Sequence, residues 1–213
     1  MRTGWGGRPG GEYASALAAE VVQAHLSSPE GSIAEPGDRM AEAISSANLE
    51  VWNASVADPE RQGMGTTVTA LALNGDSARW TIGHVGDSRG YVFRDSKLRR
   101  ITRDHTVVQD LVESGAISPA SLADHPLSHL INRAVGTEET VKVDVFEGEA
   151  LPGDVFLLCS DGLAGLMTDD ELEDALQGVA VSNLEEKSSE LVSLAHERGA
   201  PDNVTVGFLA LHE

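Results

Sequence analysis

The chain has 213 residues, 41% of them hydrophobic, and carries 34 acidic against 15 basic side chains for a formal net charge of −19. That length suits one domain with its own core, and so acidic a surface repels phosphate backbones and anionic membranes, which argues against nucleic acid and membrane as partners. The single cysteine, Cys159, cannot close a disulfide within one chain, no apolar stretch reaches the length of a membrane span, and the glycine-rich start is not a signal peptide, so the expected setting is the cytoplasm.

In chain order, residues 11–26 place Ala14, Leu17, Ala18, Val21 and Val22 at helical spacing, and a loop rich in Ser, Pro and Gly follows. A second helix carries Met40, Ala43, Ile44, Ala47 and Val51 on one face and ends near Asp58-Pro59. The period then changes. "GTTVTALAL" reads as a strand ending at an "NGD" turn, and residues 78–102 read as strand, tight loop, strand, turn, strand. "HTVVQDLVESGA" is a short helix closed by Gly115, and residues 116–130 are irregular and polar. "TVKVDVFEGEAL" alternates, with Val141, Val143 and Val145 on one face, and "PGD" turns the chain into the apolar strand Val155–Cys159. Thr168 with Glu171, and Ser182 with Glu185, have capping-box spacing and predict two helices. The second of these should bury Leu184, Ser188, Leu191 and Ala195 and stop at Gly199, before a last strand, "NVTVGFLAL".

This order does not alternate as βαβ units. It predicts the α+β class, with antiparallel sheets and helices packed outside them. Strands 66–73 and 204–211 are apolar on both faces and are expected inside a layered structure.

Three stretches place an aspartate at a strand end beside small or polar residues: "HVGDSRG" with Asp87, "LLCSDGL" with Asp161 and "GAPDNVTV" with Asp202. Each taken alone is an ordinary turn or cap residue. If strand ends at a common edge bring all three together, their repulsion calls for a hard divalent cation, Mg²⁺ or Mn²⁺.

Five segments in one order, "GTTVTALAL", "HVGDSRGYVFRDSKLRRITRDHTVVQDLVESGAIS", "HPLSHLINRAVG", "PGDVFLLCSDGLAGLMTDDEL" and "GAPDNVTV", closely resemble the metal-dependent protein phosphatases of type 2C, the PPM family, in their bacterial form. The resemblance runs from about Gly4 to the end and implies one domain over residues 1–213, a β-sandwich of two antiparallel sheets flanked by helices (four layers, αββα). It implies hydrolysis of phosphoserine and phosphothreonine on protein substrates. Two Mn²⁺ or Mg²⁺ ions would hold a bridging water and aim it at phosphorus without a phosphoenzyme. Asp161 and Asp202 match the ligands of the first ion. Asp87 matches a ligand of a third, weaker ion that also uses Asp161, and the Gly4 carbonyl matches a ligand of the second. Segment 116–130 matches the family's flap beside the site.

The resemblance is broken in places. Many relatives carry an acidic residue where this chain has Gly165. "TGWGGRPGGEYAS" aligns with the family's "DGMGGHxxGExAS" except that Thr3 replaces the aspartate that bridges the two central ions. A neutral hydroxyl does not replace a bridging carboxylate, so the second site is expected to be degraded. The family's first strands, with a phosphate-binding arginine and an acidic pair, have no counterpart here. Three explanations stand: a truncated or wrongly started enzyme, a natural short variant, or a catalytically silent module that binds phosphoproteins or a regulatory partner. Missing strands would leave a sheet edge open, through which two copies would pair.

Other residues carry weaker signals. His84, His105, His125 and His129 have no cysteine cluster beside them and read as structural or exposed, with His125 kept as a substrate-side candidate. Arg89 either orients a carboxylate or faces water. Arg2 and Arg8 read as surface cations, and Trp5 either walls the site or packs on the sheet edge. Ser160 lacks a G-x-S-x-G frame and is not read as a nucleophile.

Overall fold

The computed structural model describes residues 2–4, 10–28, 35–74, 78–122, 125–200 and 202–211. Among these, one sheet consists of β1 (Arg2–Gly4), β2 (Thr66–Asn74), β3 (Arg79–Val85) and β6 (Asp144–Glu149), in the order β1-β2-β3-β6. The other consists of β4 (Arg89–Arg94), β5 (Lys97–Arg100), β7 (Val155–Cys159) and β8 (Val206–Ala210), in the order β5-β4-β7-β8. Every pairing is antiparallel.

Side-chain alternation builds three apolar layers from these sheets. In β7, Val155, Leu157 and Cys159 face outward and Phe156 faces the other sheet, which is why that run is apolar throughout. The inner layer holds Trp80, Ile82, Val92, Ala150 and Phe156, with Trp80 edge-on to Phe156 at a centroid distance of 5.9 Å. On the first sheet lie α1 (Gly11–Ser27) and α2 (Pro36–Ala57), which bury Ala14, Ala18, Met40, Ile44 and Val51 against Val68 and Val85. Proline at the first position of α2 suits a helix start, where its missing N–H is no loss. On the second sheet lie α4 (Asp161–Ala164), α5 (Asp169–Ala175) and α6 (Leu184–Glu197), packed by Leu163, Leu172, Leu176, Leu191 and Ala195. The short α3 (Val107–Glu113) is capped by Thr106 and leads into segment 116–130. A buried Asn48 on α2 ties down the segment before β6, donating to the carbonyls of Glu138 and Glu139 and accepting from the Gly136 N–H at 2.8 Å. The result is the expected four-layer αββα sandwich.

Several local expectations change. The Thr168–Glu171 capping box is present, with both reciprocal bonds made. Ser182 does not cap α6: residues 181–183 form a 3₁₀ turn, and the Asn183 side chain instead accepts from the Ala180 N–H at 2.8 Å. The strand expected from residue 141 begins at Asp144, because Val141 and Val143 pack on the α1–α2 core rather than joining the ladder. Segment 204–211 is not interior: β8 pairs with β7 alone among the described strands and stays half-exposed. The "NGD" turn lies mostly outside the described residues.

Candidate metal centre

The register fixes where the three aspartates emerge. Arg89 of β4 pairs with Cys159 of β7, so Asp87 and Asp161 each lie two residues beyond the same rung of neighbouring strands. Cys159 in turn pairs with Val206 of β8, and the Ser160 N–H donates to the Thr205 carbonyl at 3.0 Å, which brings the segment from Asp202 alongside. The start of β4, the end of β7 and the start of β8 thus lie side by side at one end of the second sheet. Asp87 sits in the link that crosses from β3 in the first sheet to β4 in the second, so the site lies at one end of the sandwich.

Each loop is held by its own chemistry. Gly86 has φ +116°, and an added Cβ there would overlap the Thr67 side chain, so the turn before Asp87 requires glycine. Ser88, just after it, is buried: its hydroxyl is 3.0 Å from that of Thr67, and its carbonyl accepts from Thr69. At the second loop, an added Cβ on Gly162 would stand 2.5 Å from the Asn203 carbonyl oxygen, so α4 and the 202–203 loop touch through bare backbone. The Ser160 hydroxyl donates to that same Asn203 carbonyl and accepts from the Thr205 N–H, stitching the two loops together. Such a buried, doubly bonded serine is not a nucleophile.

Arg89 joins the loops. Its guanidinium grips Asp104 through Nε and NH2, at 3.1 and 2.9 Å to the same carboxylate oxygen, and donates NH1 to the Ala164 carbonyl at 3.0 Å. The residue beside the Asp87 turn therefore also holds the end of the helix that Asp161 begins. Arg100 completes the cluster by pairing with Asp104. Burial pushes the Asp104 carboxyl upward, but the two arginines outweigh it and hold the group below its ordinary range.

The candidate ligands behave in the opposite way. Burial, then the charges of Asp161 and Asp104, push Asp87 up to about 7. Asp161 is raised by burial and then by Asp202. The three carboxylates thus stand as two neighbouring pairs that share Asp161. Among the described residues, no three His, Cys, Asp or Glu side chains form a ready-made cage. Oxygen-only donors whose burial and mutual repulsion Arg89 and His129 offset only in part fit Mg²⁺ or Mn²⁺, supplemented by water and carbonyls. Gly4 and Thr3 lie on β1, and Thr3 pairs with Thr67, the residue against which Gly86 packs. The backbone therefore brings position 3 to the strand beside the Asp87 turn.

Of the histidines, His125 serves locally, accepting from the Leu127 N–H at 3.2 Å. The flap residue close enough to act on Asp161 is His129, which lowers its pKa. His84 and His105 are fully buried with their rings 4.8 Å apart. The roles of Asp104, Asp144 and His105 were not singled out from the sequence. The available signal was the polar run "TRDHT", whose residues Thr102, Asp104, His105 and Thr106 are all buried. Trp5 and Arg8 lie outside the described residues. Cys159 is fully buried behind the site, and burial pushes its thiol up to about 12.

The family model for Protein phosphatase 2C matches residues 1–196. The chain belongs to the protein phosphatase 2C family. The serine/threonine protein phosphatase PstP of Mycobacterium tuberculosis is 40% identical over 211 residues, which is 97% of this chain and 38% of that protein. The chain thus spans well under half the length of that relative. The serine/threonine phosphatase stp of Listeria monocytogenes is 32% identical over 205 residues, 95% of this chain and 80% of that protein. The crystal structure of the M. tuberculosis phosphatase PstP superposes with a TM-score of 0.89 at 38% identity, covering 100% of this chain and 87% of that one. The PstP catalytic domain solved in complex with two manganese ions superposes with a TM-score of 0.85 at 36% identity, covering 100% and 86%. Family membership accounts for the sandwich.

Proposed function

We propose that this chain is a Mn²⁺- or Mg²⁺-dependent protein serine/threonine phosphatase acting on phosphoserine and phosphothreonine in proteins. The observation that carries the reading is the chain of only partly compensated carboxylates, Asp87–Asp161–Asp202, in which burial and mutual repulsion raise the first two. Asp161 and Asp202 would hold the main ion, and Asp161 with Asp87 an outer one. The Gly4 carbonyl would serve a second position, weakened because Thr3 brings no charge. When bound, the ions supply activation of water and neutralisation of phosphoryl charge. The chain's own part is to fix the ligands: Arg89 ties the Asp87 turn to α4, and the Ser160 hydroxyl ties α4 to the Asp202 loop.

A second reading has one specific observation in its favour. Position 3, on the strand beside the Asp87 turn, is a threonine, and a chain with too few carboxylates for two ions would bind phosphoproteins or a regulatory partner without hydrolysing them. The two readings part in one assay, hydrolysis of a phosphothreonine peptide with Mn²⁺, with EDTA and with Asp161→Asn. We expect EDTA and Asp161→Asn each to lower turnover by on the order of 100-fold or more. Turnover that survives EDTA overturns the metal mechanism. Protein that binds Mn²⁺ yet never turns over establishes the silent module.

Two further proposals belong here. The lone buried thiol is consistent with a reducing, cytoplasmic setting, and among the described residues no helix is long and apolar enough to cross a membrane. The outer edge of β8 would pair two copies of the chain. Sedimentation showing only monomer at micromolar concentration overturns that pairing.

A further inference from the structure

His105 touches the Asp87 turn from two sides. Its backbone N–H donates to the Gly86 carbonyl at 2.8 Å, and its ring Nδ1 lies 2.9 Å from the Gly86 N–H. An amide N–H can only donate, so Nδ1 is the bare nitrogen and the ring proton sits on Nε2. There the proton meets Asp144 of β6, whose Oδ2 is 3.2 Å away. Arg133 NH1 donates to the other oxygen of Asp144 at 2.7 Å and also stands 2.8 Å from Nε2, so two donors, it and the Gly86 N–H, compete for a ring that can accept at one nitrogen only. Arg133 has Asp144 as its alternative acceptor, the Gly86 N–H has the ring, and burial with the arginine's charge disfavours a second ring proton. The carboxylate selects the tautomer, and the tautomer leaves an acceptor aimed at Gly86. His105 is also sewn to the end of the flap: its carbonyl accepts from the Asn132 N–H at 3.0 Å, and the next residue, Thr106, bridges to Ile131.

A fully buried imidazole is thus held at both ring nitrogens, and one of the two contacts is the Asp87 turn itself. The Gly86 N–H is buried, and without an acceptor its lost hydration would go uncompensated. With Ser88 already fixed on the far side of Asp87, the orientation of the carboxylate depends on how Gly86 is held. We infer that His105, set in its Nε2–H tautomer by Asp144, is a positioning residue that aims Asp87 at Asp161 for cation binding. The inference rests on the metal reading above and acts through backbone alone, since the ring touches neither substrate nor ion.

The test separates the two ring nitrogens. In His105→Asn the amide oxygen can occupy the place of Nδ1 and accept from Gly86. In His105→Gln the amide reaches the place of Nε2, keeping Asp144 and abandoning Gly86. Two readouts are taken on each: hydrogen exchange of the Gly86 amide in metal-free protein, and Mn²⁺ affinity by calorimetry. The Gln variant should exchange Gly86 about tenfold faster and lose roughly 10–100-fold in affinity at the weakest site, with the Asn variant within about threefold of wild type. ¹⁵N spectra of the wild-type imidazole should show Nδ1 as the bare nitrogen, a reading that needs no variant to fold. A proton on Nδ1, equal behaviour of the Asn and Gln variants, or a loosened Gly86 with unchanged Mn²⁺ affinity each overturns the positioning role. Wild-type protein that takes up no Mn²⁺ overturns the metal reading and this role with it. A Gly86 amide indifferent to the ring removes this role alone.

Discussion

Asp87, a proposed metal ligand, carries a cost in stability. Its ordinary carboxyl value is 3.8, and in the fold it is raised to about 7 by burial and by the charges of Asp161 and Asp104. Below the lower value the group is protonated in both the folded and the unfolded chain and contributes nothing. Between the two values the unfolded chain ionises while the folded one holds its proton, so stability falls as pH rises through this window, and above it the deficit is complete. Asp87→Asn should therefore make metal-free protein more stable at pH 8 by about 2 kcal/mol, discounted for partial solvent contact, and leave it nearly unchanged at about pH 3. Urea unfolding at the two pH values checks this, and equal stability at pH 8 would refute it. His84 has the opposite slope. Burial, then the neighbouring His105, lowers it to about 4, so its contribution is present above 6.5 and lost as pH falls through the folded value. Arg89 marks what the sequence could and could not say at this scale. A role in orienting a carboxylate was foreseeable, but its partner was not, because Asp104 reaches it only after the β4–β5 hairpin folds back.

Elements decide whether the ligand loops meet. β7 and β8 are adjacent and antiparallel, so α4 and the 202–203 loop leave the same end of the sheet and approach until only a glycine fits between them. Gly162→Ala would press a methyl group against the Asn203 backbone, which has no flexible end to yield. It should cost about 1–3 kcal/mol of stability and weaken Mn²⁺ binding beyond that loss, because the two loops must part. Urea titration beside calorimetry separates the two effects; an alanine variant with wild-type Mn²⁺ affinity would refute the coupling. Elements with strong local signals were legible in the sequence: the Thr168 capping box, the 79–100 strands and the α2 face all stand where periodicity put them. The misses have different causes. Residues 141 and 143 alternate like a strand, yet the α1–α2 core claims them, a tertiary contact overriding local pattern. The Ser182–Glu185 spacing loses to a competing local bond, in which Asn183 accepts from the Ala180 N–H across a 3₁₀ turn.

At the scale of the whole molecule, two sheets back to back give three apolar layers from a chain that is only 4% aromatic, with Trp80 and Phe156 in the middle one. The class of fold followed from the order of elements. The candidate site followed from motif resemblance, whereas the strand register that aligns Asp87 with Asp161, and the contacts of Asp104 with Arg89 and of His105 with Asp144, required coordinates. Spacing along the chain carries no information about which strands become neighbours, and the support for a site is spread over residues that look ordinary singly.

Cys159 occupies the last rung of β7, sealed between that sheet and its outer helices. Only a thiolate attacks disulfides and alkylating reagents, and this sulfur neither ionises near neutral pH nor meets solvent. Peroxides that disable enzymes with exposed thiols would pass this fold by. The sulfur becomes reactive only when β7 leaves the sandwich, so each modified molecule records one opening of the core, a built-in counter of failures rather than a regulatory switch.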